Sequence, residues 1–153
     1  MSKVIGNNFT EMKQKLDSVG CGMCLAKWTQ VTMHLHDGTT HSCHHPAPHK
    51  IGLRELKRNP TALHNSSQKK KSRKQMLNGE RPSECGYCWK VEDNSDSFSD
   101  RVFKSEEEWS KPFFKEITEL DWREDYLPKY VEVSFSNTCN LKCGYCGPSY
   151  SSK

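Results

Sequence analysis

Eight cysteines constrain this 153-residue chain more than any other feature. They fall in two sets. Cys21, Cys24, Cys43, Cys85 and Cys88 form the first, and Cys139, Cys143 and Cys146 stand together in "VEVSFSNTCNLKCGYCGPSYSSK". Apolar residues make up only 33% of the chain, a thin supply for a large core. Small polar domains of this kind need staples, either metals or disulfides. The first residues, "MSKVIGNNFTEMKQKL", carry no hydrophobic signal region, and no apolar run reaches the length of a membrane span. A cytoplasmic setting without a membrane partner is expected. There the thiols stay reduced and read as metal ligands before disulfides.

The length fits one ordinary domain, and the chain shows no internal repeat. Asn8 to Val19 reads as a lead-in helix. Val31, Met33 and Leu35 alternate with Thr32, His34 and His36, the period of a half-buried strand. Asp37-Gly38 signals a two-residue hairpin turn, which would bring Thr40 or His41 back beside His34. The return strand, Thr39 to Cys43, then carries Cys43 toward the side where Cys24 enters. A short helix is halted near Asn59, because Pro60 disfavours helix in the residue before it. A longer helix follows and stops at Asn78-Gly79. Its basic run "QKKKSRKQ", Gln68 to Gln75, supplies much of the net charge of +4. It reads as a solvated helix face, so no nucleic-acid partner is expected. Glu92 to Glu108 reads as a polar loop, Trp109 to Leu120 as partly helical, and Tyr130 to Ser136 as a strand.

Three closely spaced cysteines can hold three irons of a cubane cluster and leave the fourth iron open to a small molecule. Gly144 and Gly147 give that loop freedom to wrap the cluster. In the first set, four thiols suffice to close a second centre. Cys24, Cys43, Cys85 and Cys88 are the choice, with Cys21 able to take the place of Cys24. Spacing alone leaves zinc open, since Cys21-x2-Cys24 with Cys85-x2-Cys88 would make a four-thiolate zinc site. His34, His36, His41, His44, His45 and His49 crowd the hairpin. They read as surface residues or donors to ligand sulfurs rather than as ligands themselves. Trp28 and Trp89 are expected to pack around a cluster.

At C-x3-C-x2-C, with Tyr145 before the third cysteine, the sequence resembles the radical S-adenosylmethionine (radical SAM) enzymes. The resemblance implies a 4Fe–4S cluster on Cys139, Cys143 and Cys146, with S-adenosyl-L-methionine chelated at the open iron. It further implies an electron donor such as flavodoxin or ferredoxin, and reductive cleavage of the cofactor to a 5′-deoxyadenosyl radical. Cys24-Leu-Ala-Lys-Trp28, the hairpin Gly38 before Cys43, and the run from Arg73 to Cys85-Gly-Tyr-Cys88 resemble the auxiliary cluster modules called SPASM or twitch domains. Ser99-Asp100-Arg101 extends that likeness. The resemblance covers roughly residues 20 to 153.

The expected fold is α+β. Residues 1–95 would form a small metal-stapled, twitch-like domain of a β-hairpin plus helices, with an auxiliary cluster. Residues 96–128 would be a polar linker or helical connector. Residues 129–153 would supply the first strand and cluster loop of a radical SAM (β/α) barrel. The other barrel strands would come from a C-terminal continuation or, in a split enzyme, from a partner chain, and the chain alone would be inactive. Relatives with such modules suggest a peptide substrate by analogy. The other reading is a small zinc- or cluster-stabilised binding module with a basic helix.

Overall fold

The computed structural model describes residues 2–136 and 138. The chain opens with helix α1 (Ser2–Val19). Phe9, Met12, Leu16 and Val19 recur on its inner face at helical spacing, and Met12 and Leu16 are fully buried. A turn through Cys21 leads into the short α2 (Ala26–Thr29) and directly into strand β1 (Gln30–His34). Strands β2 (Thr39–His41) and β3 (His49–Lys50) follow, then α3 (Leu53–Arg58) and α4 (Ser67–Leu77). Next come α5 (Gly86–Asn94), α6 (Asp100–Glu106), α7 (Phe114–Glu119) and strand β4 (Tyr130–Ser134). The described residues thus form a mixed α+β fold with seven helices and one four-stranded sheet, ordered β3-β2-β1-β4. No helix among them is long and apolar enough to cross a membrane.

The hairpin forms where expected but with a longer turn. His34 pairs with Thr39 and Thr32 with His41, so four residues, Leu35 to Gly38, make the turn instead of two. Gly38 adopts φ 72° and its N–H donates to His34 O at 2.9 Å. The shift is two residues, so every side chain keeps its face. His34 and His41 therefore still share a face, with their Nε2 atoms 3.0 Å apart.

β4 pairs in parallel with β1, from Gln30 opposite Tyr130 to His34 opposite Ser134. Lys129 N–H donates to Thr29 O and Leu35 N–H to Ser134 O, extending the ladder at both ends. The connection between the two strands runs through β2, β3 and α3 to α7, as a parallel pair requires a long crossover. Residues 96–128, expected as a polar connector, belong to the same core. Val102, Ile117 and Tyr126 are buried in one cluster with Met12, Leu16, Trp28 and Met76.

Two sequence expectations need correction. The stretch from Glu92 to Glu108 is not a loop: α5 runs on to Asn94, and α6 forms from Asp100. Its polar residues carry a buried ion-pair network that hydropathy does not reveal. Arg101, almost fully buried, donates from Nε to Glu92 and from Nη2 to Glu92 and Asp17. Nor is the basic run on α4 wholly solvated. Lys69 and Arg73 point inward and are buried. Arg73 donates to Lys27 O and Asn65 Oδ1, and Lys69 Nζ reaches Gln30 O. His64 Nε2 lies 2.6 Å from Trp28 O. Lys69, Arg73 and His64 thus meet the carbonyls of Gln30, Lys27 and Trp28, where α2 runs into β1.

Candidate metal centre

The local geometry that builds the site starts with glycine. A Cβ on Gly22 would lie 1.8 Å from Glu80 O, so only glycine lets the chain before Cys24 rest on the Glu80–Arg81 backbone. That backbone is aimed by the end of α4. Gly79, at φ 78°, follows the C-cap Asn78; its N–H donates to Met76 O, and Glu80 N–H donates to Gln75 O. This is the Schellman arrangement that the Asn78-Gly79 pair predicts. The chain then turns through Pro82 into a single 3-10 turn, Ser83–Cys85, and on into α5. Cys85 and Cys88 are three apart and share one helical face.

Four thiols from three separate segments line one cavity: Cys24 before α2, Cys43 after β2, and Cys85 with Cys88 at the start of α5. Ala26, Pro46 and Trp89 give the cavity apolar walls. Trp89 is pinned by its Nε1–H to Pro82 O at 2.8 Å. Trp28 is buried away from the cavity, beneath the Arg73 guanidinium. Cys21 is exposed and lies against Gly79 O at 3.2 Å, so of the two alternatives only Cys24 joins the others. Cys139, Cys143, Tyr145 and Cys146 lie outside the described residues.

All four thiols are held in the neutral form. Burial pushes Cys24 up strongly, and the neighbouring Cys43, Cys85 and Cys88 push it further. Burial raises Cys85 to about 11, and raises Cys43 and Cys88. Thiols crowded in this way give up protons to a metal, whose charge would add to that of Lys27 at the cavity wall. Other groups already favour thiolate. The backbone N–H of His45 faces Cys43, and the backbone N–H of Arg101 and the Ser99 hydroxyl face Cys88. Lys27 is buried, with Nζ 2.5 Å from Glu84 Oε1. Burial would raise the Glu84 carboxyl, yet Lys27, Ser72 and Gln68 hold it down to about 2.

One polar atom in the cavity lacks a partner. The Ser42 hydroxyl is buried, lines the cavity and makes no hydrogen bond. A buried hydroxyl left unsatisfied is costly, and a thiolate- or sulfide-rich group in the cavity would accept from it. The donor set, the neutral thiols and this hydroxyl all fit a metal centre.

Asp100 lines the cavity within the Ser99-Asp100-Arg101 stretch that the sequence reading marks, whereas Lys27 and Ser42 have no role there in that reading. Lys27 sits inside the Cys-x3-Trp segment and Ser42 beside Cys43, so adjacency to those cysteines was the available signal. The chain matches no family model, no curated protein and no solved structure.

Proposed function

We propose that Cys24, Cys43, Cys85 and Cys88 hold an auxiliary 4Fe–4S cluster in the N-terminal portion of a radical SAM enzyme. The observation that carries this reading is the convergence of these four thiols, and not Cys21, on one buried cavity. The choice of a cluster over zinc rests on the neighbouring Cys139-x3-Cys143-x2-Cys146 motif, whose spacing suits iron–sulfur chemistry.

A cluster there would supply one-electron redox capacity and a folding staple. Lys27 would offset its negative charge. The N–H groups of His45 and Arg101 would hold two ligand sulfurs, and Trp89, Ala26 and Pro46 would keep water away. The catalytic cluster is assigned to Cys139, Cys143 and Cys146 on sequence, with Tyr145 beside it and S-adenosyl-L-methionine at its open iron. The thiol cavity lies at the end of the sheet where β1 and β4 begin. The chain leaves β4 at the other end, roughly 13 Å along at the usual rise per residue. On this reading the two centres use different cysteines, Cys24, Cys43, Cys85 and Cys88 for one and Cys139, Cys143 and Cys146 for the other.

Val131, Val133 and Phe135 are exposed. This suits a first barrel strand awaiting cover from further βα units, in a continuation of the chain or in a partner. The substrate is proposed to be a peptide by analogy alone, and the electron donor a flavodoxin or ferredoxin.

Anaerobic reconstitution with iron and sulfide tests the proposal. About eight irons with matching sulfide are expected per chain, and about four in a Cys139→Ala/Cys143→Ala/Cys146→Ala variant. Stoichiometric zinc without acid-labile sulfide would overturn it.

A further inference from the structure

We infer that His44, His45 and Asp100 form a second, mononuclear site for a borderline divalent cation of the zinc class, at the mouth of the thiol cavity. Nε2 of His44 and Nε2 of His45 both approach the same carboxylate oxygen, Asp100 Oδ2, at 3.1 and 2.5 Å. The three ligand atoms all lie within 4.8 Å of one another, the only such trio among the described residues. Two imidazoles and a carboxylate are a donor set that zinc prefers, at metal–ligand distances of about 2.0–2.2 Å. On one tetrahedral ion the ligand atoms would stand roughly 3.4 Å apart, against the present 3.1 and 2.5 Å from Asp100 Oδ2 to the two imidazole nitrogens.

Among the described residues no lysine or arginine pairs with Asp100; its ion-pair partners are these two imidazoles, while Lys27, Arg101 and Lys104 line the cavity behind it. The rings are also pre-positioned. His45 is largely buried and stacks on Tyr87, with centroids 3.6 Å apart and planes 14° apart. His44 packs against His45 on one side and is 60% exposed. Three protein ligands with an open, solvent-facing side is the pattern of zinc sites that keep a position for water or substrate.

The site is tied to the thiol centre by chain connectivity. His44 and His45 directly follow Cys43, and Asp100 lies between Ser99 and Arg101, the two residues facing Cys88. A cation here would clamp the segment after β2 to the start of α6, beside both Cys43 and Cys88. It would act whichever metal the thiols hold.

Zinc titration by calorimetry tests this on the full chain after anaerobic iron and sulfide loading, with iron and sulfide measured in each sample. Wild-type chain should take up one more zinc than His44→Ala or His44→Gln, both of which change an exposed side chain. Residual affinity in the variants should fall by more than about 100-fold, the upper end of what is lost with an outer hydrogen-bond partner of a metal ligand. Iron and sulfide content should be the same in all three. Equal zinc uptake by wild type and both variants would overturn the assignment. So would loss of iron from the His44 variants in parallel with zinc, because the imidazole would then belong to the thiol centre.

Discussion

The ammonium of Lys27 lies 2.5 Å from the carboxylate of Glu84, and both groups sit beside the thiol of Cys85. The pair places a buried positive charge against the thiol cavity and uses Glu84 to hold it there. Ser72 Oγ donates to the same Glu84 oxygen at 2.6 Å, which ties α4 to the Cys85 turn.

Breaking that pair from one side should be costly. Lys27→Met leaves a largely buried carboxylate without its cation, and loss of one partner of a buried pair costs about 3–5 kcal/mol. The double variant Lys27→Met/Glu84→Gln removes the stranded charge and should recover part of the loss. Urea denaturation of both, at matched metal content, checks this. A double variant as unstable as the single one would contradict it.

Gly22→Ala should destabilise the chain and empty the thiol centre together. The added methyl meets backbone, not a flexible side chain, so the Cys24 segment must move away from Glu80. A loss of about 2–4 kcal/mol is expected for forced backbone displacement at a buried contact. Gly52→Ala is the control, since a Cβ there meets nothing within 4 Å. Thermal unfolding and bound-metal analysis of both variants make the comparison.

Some of this architecture was legible in the sequence and some was not, for physical reasons. Alternation marked β1, and Asn78-Gly79 marked the end of α4, because both depend on local backbone preference. Cysteine spacing placed Cys85 and Cys88 side by side because residues three apart on a helical turn are neighbours. The sequence reading already chose Cys24, but setting Cys21 aside needed tertiary structure, since it depends on Gly22 docking against a segment almost sixty residues away. The pairing of β1 with β4 joins residues one hundred positions apart and leaves no local trace. Lys69 and Arg73 read as solvated because their role is to meet carbonyls where α2 runs into β1, a relation no charge pattern displays. The two-residue turn failed because Leu35 and His36 were drawn into the loop, a choice that Asp37-Gly38 alone does not make.

His64 should impose a pH dependence on stability. Burial, then Lys69 and Arg73, depress its pKa to about 2, so it is neutral in the folded chain. In the unfolded chain it titrates near 6.5. A depressed imidazole contributes full stability above the unfolded value and loses it as pH falls below. The loss approaches about 1.4 kcal/mol per pH unit between roughly pH 6 and the folded value. Urea midpoints at pH 7.5 and 5.5 should therefore fall further for wild type than for His64→Gln, which has no such proton to take up. Equal falls would show that His64 does not carry this dependence.

The cysteines themselves give the most direct comparison. Cys24→Ala removes a buried thiol from the cavity, whereas Cys21→Ala removes an exposed one that touches only Gly79 O among its hydrogen-bond partners. In a chain with so few apolar residues, a metal held by the four thiols, as proposed, would act as folding energy. Cys24→Ala and Cys88→Ala should therefore lose the metal and unfold at markedly lower temperature. Cys21→Ala should keep both metal and melting temperature close to wild type. Chelator-stripped wild type should resemble Cys24→Ala, because what is lost in both is the metal and not the packing of one sulfur. Anaerobic thermal denaturation with parallel metal analysis reads all four samples. Equal destabilisation by Cys21→Ala and Cys24→Ala would remove the basis for the four-thiol centre.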